Sequence, residues 1–553
     1  MPLRLVLWLV VPCLVGGALG VSFAARPTSS PAPVAAPRMQ VVGRTTLPPR
    51  RIYRNARVRP GLVPLEGSSA AAPTLLGGSP APATSSRGGQ SDVVAFTPGD
   101  RSLAEAAEPG PAQTTQFDAP TTEPAPTTTV PATPIVISDV HTVSLTPFSA
   151  TIAWRTSEPV GSRIAYGPGT PTLWTAEDPA AIEHVADVSG LTSSSSWNVW
   201  VTARADDGRT ATQPFMLTTP PLTGRATAST ADGAFRINGQ PYFPTMVWNA
   251  CPDALPKLMS LGIDLFMANA CGAASQQAPV LAGRGFALSD ALEAPDAGAV
   301  GTFLPDEWDT HLPGDLTAAA AHKLAPSNGA PGPRFLTLTN HFYSHAAPLP
   351  QGRGMYPALI DTADVLGFDL YPLQNWCRWE SFGDVFDSQR ELVTLARGKP
   401  TFQWIEARQM DCHDPTLDPS PETVRAETWL AIAGGAHAIG YFPNDWSTAV
   451  DGEIARSKRE IQSLVPALFE PALPAQASNA QIKVSARIHN GALYVIAVNA
   501  SRSAQSASFN VPLLADRGLV SLAGDRATVA AAGAFSDTFA PLEARVYISP
   551  PTA

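Results

Sequence analysis

Two glutamates far apart in the chain carry the residue types that could do chemistry. Glu307 closes the run Phe303-Leu304-Pro305-Asp306-Glu307 just before Trp308, and Glu406 ends Thr401-Phe402-Gln403-Trp404-Ile405-Glu406. Each closes a short apolar stretch with a tryptophan nearby. Two carboxyl groups facing one another beside aromatic rings are the minimum equipment for cutting a glycosidic bond. One donates a proton to the leaving oxygen while the other attacks the anomeric carbon or activates water. Retention requires the pair roughly 5–5.5 Å apart, and inversion leaves roughly 6.5–9.5 Å for a water.

Such a pair needs elements that bring it together. Between residues 231 and 474 the sequence alternates strand-like and helix-like runs. Candidate strands are Phe243 to Trp248, Asp264 to Ala268, Gly285 to Leu288, Val300 to Leu304, Phe335 to Thr339, Val365 to Leu370, Thr401 to Ile405 and Ala438 to Phe442. Helical runs between them include Ala254 to Leu261, Leu316 to Ala321, Phe386 to Ala396 and Pro421 to Ala433. Eight β/α repeats in a segment of about 240 residues predict a (β/α)₈ barrel, whose reactive groups sit at the C-terminal ends of its strands. A doubly wound open sheet would want a Gly-rich loop after its first strand, and none is present. Those strand ends collect polar and aromatic residues: Trp248, Asn249, Asn269, Asp306, Glu307, Trp308, Asn340, Asp369, Tyr371, Trp376, Glu406 and Trp446, with Trp404 inside the seventh strand. The tryptophans are candidate platforms for sugar faces, and Tyr371 is a candidate hydrogen-bond donor to Glu406.

The opening Phe235-Arg236-Ile237-Asn238-Gly239-Gln240-Pro241 reads as a hairpin with an Asn-Gly turn. Together with Ala363-Asp364-Val365-Leu366-Gly367-Phe368-Asp369-Leu370-Tyr371-Pro372 and Arg425-Ala426-Glu427-Thr428-Trp429, it resembles the clan A glycoside hydrolases over residues 231 to about 550. The resemblance implies a retaining glycosidase with Glu307 as acid/base and Glu406 as nucleophile. Many clan members have Asn before the acid/base residue, whereas this chain has Asp306, which brings a like charge beside the acid. The implied substrate is a polysaccharide, with no cofactor and no metal. His341, His345 and His413 match no ligand spacing. The alternative is a surface protein whose barrel binds glycan without cutting it. An esterase is disfavoured because no Gly-x-Ser-x-Gly elbow occurs.

Other segments flank the barrel. Residues 1–24 read as an export signal, with Arg4 ahead of the apolar run Leu5 to Phe23 and small residues before a cleavage point at Ala24. A retained membrane anchor is the alternative, and both put the body of the protein outside the cytoplasm, secreted or at the cell surface. Residues 25–133 are rich in Pro, Thr, Ser and Ala and predict a disordered tether. Its arginines, Arg44 to Arg59, read first as a solvated charge run, with contact to an anionic envelope polymer or headgroups as the alternative. Residues 134–220 alternate with period two, as in Ala150-Thr151-Ile152-Ala153-Trp154 and Trp197-Asn198-Val199-Trp200-Val201. With Tyr166-Gly167 and Gly190-Leu191-Thr192 they resemble a fibronectin type III domain, with Trp197 in the tyrosine-corner position. Residues 475–553 predict a C-terminal antiparallel β-sandwich.

Composition bounds the rest. The net charge is −10 although the first 134 residues are basic, so the folded part is acidic and nucleic acid is excluded as its main partner. Cys13 would leave with the signal. Cys251, Cys271, Cys377 and Cys412 remain, an even number suited to disulfides outside the cytoplasm. On the barrel reading they follow strands one, two, six and seven, so neighbouring loops predict Cys251–Cys271 and Cys377–Cys412.

Overall fold

The computed structural model describes residues 133–552 apart from residue 282. The expected export signal, and all but the last residue of the tether, lie outside the described residues. Among those described, no helix is long and apolar enough to cross a membrane.

The first described unit is all β. Its long strand Ser149–Gly167 pairs with Ile137–Leu145 and Asp178–Ser189 along its first half, and with Ser196–Arg204 along its second. Thr210–Thr218 extends the sheet from Ser196–Arg204. Alternate residues of these strands point inward, as period-two patterning requires. Ile152, Trp154, Ile164, Tyr166, Trp197, Val199 and Val201 are all buried. Trp197 donates its indole N–H to Ser195 Oγ at 2.8 Å.

Eight parallel strands then close into a barrel. They are β1 (Thr245–Trp248), β2 (Leu265–Met267), β3 (Phe286–Asp290), β4 (Gly301–Phe303), β5 (Arg334–Thr339), β6 (Val365–Asp369), β7 (Thr401–Glu406) and β8 (Ala438–Phe442). The pairing Thr245↔Ile439 between β1 and β8 completes the circle. One set of alternate residues fills the interior: Met246, Leu265, Leu288, Phe335, Val365, Phe402 and Trp404. The other set, including Val247, Leu336, Leu338, Phe368, Ile405 and Ile439, packs outward under the helices. Two large rings on one strand need space opposite them. Gly367 gives it to Phe402 and Gly440 to Trp404, since a Cβ on either glycine would stand 2.0 or 2.1 Å from those rings. The hairpin of Ala234–Ile237 and Gln240–Pro241 turns at Asn238-Gly239, both at positive φ. It packs Phe235 against Phe335 (ring centroids 5.7 Å apart) and joins the interior cluster.

The helix Pro421–Gly434 starts at a Ser420/Thr423 capping box and stops at Gly435, whose φ of 108° favours glycine. A further helix, Thr448–Gln462, follows β8 and was not among the expected ones. Beyond it, Ile482–His489, Ala492–Asn499, Ala544–Ser549, Gly518–Ser521 and Ala527–Val529 form one antiparallel sheet. Gln476–Ala477, Gln505–Asn510 and Ala534–Phe539 form another, and Phe509, Phe535 and Tyr547 are buried together with residues of the first. This unit leans on the barrel helices, where Arg487 donates to the Ile432 carbonyl at 2.9 Å.

Of the two expected disulfides, Cys251–Cys271 is formed and ties the loops after β1 and β2. Cys377–Cys412 is not: both remain thiols, Cys377 exposed and Cys412 buried. They are nevertheless neighbours: lost solvation, and then a hydrogen bond and charge from Cys412, push Cys377 up to about 12.

Candidate active site

The C-terminal mouth of the barrel brings three carboxyl groups together. After β4 the chain turns through Asp306 and Glu307 into a short 3₁₀ helix, Trp308–His311. Glu307 takes a left-handed conformation (φ 46°, ψ 40°), which a non-glycine residue holds only when its neighbours fix it. Two neighbours do so. Trp308 is buried in the outer core, and Asp309 is wholly buried. The Asp309 carboxylate accepts from Thr339 N–H at 3.1 Å, Tyr356 hydroxyl at 2.9 Å and the Thr339 hydroxyl, pinning the turn to the end of β5. Asp369 ends β6 on the same inward face as Val365 and Gly367 and is half-buried.

Proximity shows in their proton affinities. Asp306, exposed at the rim but crowded on its protein side, is pushed up to about 6 by lost solvation and the Asp309 charge. The Glu307 N–H opposes that rise. Glu307 is pushed up to about 7 by burial and by the charges of Asp306 and Asp309. Burial and then the charges of Asp306 and Glu307 hold Asp369 well above the usual carboxyl range, against the pull of a hydrogen bond from Tyr371. Like charges gathered in a recess cannot all ionise together, so the group titrates as a unit.

Glu406 lies elsewhere in its chemistry. Its side chain is fully buried, and its two oxygens accept main-chain N–H groups of Leu373 (2.9 Å) and Gln374 (2.7 Å) from the loop after β6. Its remaining neighbour is Glu427 on the helix Pro421–Gly434. Both oxygens of this carboxylate are engaged by the main chain and none is exposed, where the expected attack on a sugar would need an open one. Tyr371 also differs from expectation: its partner is Asp369, not Glu406.

Several expected sugar platforms belong to the core. Trp308 and Trp404 are buried, with Trp404 Nε1 donating to Thr337 Oγ1 at 3.2 Å. Trp446 is buried and donates to Asp451 Oδ1 at 2.7 Å. Trp248 is half-buried, edge-on to Phe303 and Trp404 at 5.4 and 6.3 Å, and remains at the mouth. Trp376 is half-buried beneath the Arg378 guanidinium, 4.9 Å away. Asn249 is exposed at positive φ beside the mouth. Asn269 is buried and frames the disulfide loop, accepting from Cys271 N–H at 3.0 Å and donating to Ala273 O at 2.9 Å. Asn340 is buried at the start of the turn after β5.

Sequence reasoning passed over two acidic positions. Asp290 ends β3 on the inward side of the alternation Phe286, Leu288, Asp290, and accepts from Leu292 N–H at 2.9 Å. Extending the third strand by one period would have found it. Glu427 sits one helical turn from Val424 and Ala431 on the buried face, so an acid on an apolar stripe was its only signal.

No protein-family model matches the chain, and no curated protein matches it. Solved structures of similar chain path include a candidate α-galactosidase from Bacteroides fragilis, at 11% identity over 76% of this chain and 98% of that one, with TM-score 0.37. A GH30 endoxylanase from Clostridium papyrosolvens matches at 13% identity over 59% and 100%, with TM-score 0.30. An α-amylase from Geobacillus thermoleovorans matches at 9% identity over 56% and 99%, with TM-score 0.35. At such values the likeness concerns the course of the backbone alone.

Proposed function

We propose that the barrel is a glycoside hydrolase whose reacting groups are Asp306 and Asp369, with Glu307 between them. The observation that carries this is the convergence of three solvent-reached carboxyls at the ends of β4 and β6, each perturbing the next. β4 and β6 are separated by β5, so their terminal side chains approach a sugar from two walls of the mouth.

Asp369 keeps its proton most firmly and serves as general acid to the leaving oxygen. Asp306, the first member of the strand-four pair to ionise, attacks the anomeric carbon as the glycosidic bond breaks. Asp369, now a carboxylate, takes a proton from water, whose oxygen releases the sugar from Asp306 with net retention. Tyr371 steadies the Asp369 anion during that second half. Glu307 holds a proton up to about pH 7 and donates a hydrogen bond to a sugar hydroxyl. This moves the acid from Glu307 and the nucleophile from Glu406. Trp248 offers the aromatic face.

The substrate class is a polysaccharide. The N-terminal segment would hold the enzyme at or outside the cell surface, with the fibronectin type III-like unit as spacer. Aryl glycosides of graded leaving-group acidity test the reading in the full chain. Asp369→Asn should keep kcat/KM on dinitrophenyl glycosides, whose departure needs no acid, with the glycosyl-enzyme accumulating for want of a base, and lose it on poorer leaving groups. Asp306→Asn should lose both, with azide restoring product in Asp306→Ala. Glycan binding by the wild type with no turnover of any aryl glycoside would leave a non-catalytic binder instead.

A further inference from the structure

Two glutamates take no part in that chemistry, yet both are wholly buried: Glu406 at the end of β7 and Glu427 on the helix Pro421–Gly434. Glu406 accepts from Leu373 and Gln374 N–H at 2.9 and 2.7 Å. Gln374, itself fully buried, donates to the Leu417 carbonyl at 2.7 Å and accepts from Met410 N–H at 2.6 Å. The same loop folds back on Tyr371, whose carbonyl accepts from Asn375 and Trp376 N–H at 2.9 and 3.1 Å. Whatever fixes Leu373 and Gln374 therefore fixes Tyr371, the partner of Asp369.

Glu427 lies against Glu406. Neither of its oxygens has a hydrogen bond of ordinary geometry, and its neighbours are the Glu406 carboxyl and, more weakly, the Glu406 main-chain N–H. Two carboxylates are acceptors only, so the bond available between them is one made by a proton. The titratable groups acting on the pair are each other and, from the loop side, Cys377, which is itself near Cys412 and Asp411. None of these is a cation. Sealed from water, the pair can bear one negative charge far more readily than two.

We infer that Glu406 and Glu427 are positioning residues: one proton held between them keeps Glu406 as the double acceptor that clamps the Leu373–Gln374 turn and sets Tyr371 against Asp369. With the proton in place, Glu427 donates to Glu406 and the remaining lone pairs of Glu406 serve the two amides. Without it, two enclosed anions repel and the clamp opens. The consequence for catalysis rests on the proposed activity, whereas the clamp itself does not.

Amide hydrogen exchange over residues 371–377 in the full chain tests it, with wild type, Glu427→Gln and Glu427→Met followed from the ordinary carboxyl range upward to where Glu427, held well above it, ionises. After correction for intrinsic rates, wild-type protection should fall roughly tenfold or more as pH rises through that range. Glu427→Gln, whose amide N–H replaces the proton, should stay flat, and Glu427→Met should be deprotected throughout. Equal, pH-independent protection in wild type and Glu427→Gln would overturn the inference, and that comparison decides even where Glu427→Met fails to fold. Where glycosides are turned over, Glu427→Met should lower kcat more than it changes KM, and Glu427→Gln should restore kcat. With no turnover at all the exchange result stands by itself, so the two readings fail separately.

Discussion

The barrel carries two acidic clusters near its C-terminal end, built from the same residue types and given opposite access to solvent. At the ends of β4 and β6, Asp306, Glu307 and Asp369 reach solvent and crowd one another. At the end of β7, Glu406 and Glu427 are sealed, one of them bound to two main-chain amides. Both places raise carboxyl proton affinity, so a perturbed titration alone does not mark a reactive group. Access separates them. A group that meets water can meet a substrate, and a group that satisfies buried N–H donors is occupied by the fold.

The largest expected effect breaks the open cluster. Asp369→Asn or Asp306→Asn should lower kcat/KM on unactivated glycosides by roughly 10²–10⁴-fold, the usual worth of a positioned acid, base or nucleophile. Glu406→Ala should act mainly on stability, because two buried N–H groups lose their acceptor at about 1–3 kcal/mol each. Calorimetry checks that, and any residual folded Glu406→Ala should still turn over substrate, with kcat lowered as in Glu427→Met. If Glu406→Ala stays fully stable and wholly inactive, the division between the clusters is wrong.

Titration sharpens the contrast. Glu406 and Glu427 together hold a proton in the folded protein where the unfolded chain has released it. The stabilising contribution of that proton is complete below the ordinary carboxyl range and is lost as pH rises through the raised range in which Glu427 ionises. The Tm of wild type should therefore fall with pH across that window, and that of Glu427→Gln should fall less. At the open cluster, Glu307→Gln removes a negative charge that helps hold the Asp369 proton. The alkaline limb of the activity profile should move to lower pH by about one unit or less. Smallest of all, Trp446→Phe deletes one hydrogen bond to Asp451. It should lower stability by about 1 kcal/mol and leave KM unchanged, as befits a core ring.

Much of this architecture is legible along the chain because its causes are local. Short apolar runs ending in polar residues, separated by helical stretches, dictate eight β/α repeats, and the Asn238-Gly239 turn marks the hairpin that starts them. Asp306, Glu307 and Asp369 were recognisable as strand-end residues for the same reason. Cys251 and Cys271 follow adjacent strands and meet. What the linear order does not carry is which way an end residue finally points and what closes over it. Glu406 looks in sequence like a partner for Glu307. Only in three dimensions do the amides of Leu373 and Gln374 and the acid of Glu427, remote in the chain, converge on it and remove it from solvent. Tryptophans divide in the same way, since Trp446 and Trp404 are core only because distant segments supply Asp451 and Thr337. Periodicity and turn chemistry act between near neighbours, so residue order alone determined the repeating elements and the places where acids could stand. Solvent access and hydrogen-bond satisfaction depend on remote segments, so tertiary packing alone decided which acids reach solvent and which are sealed.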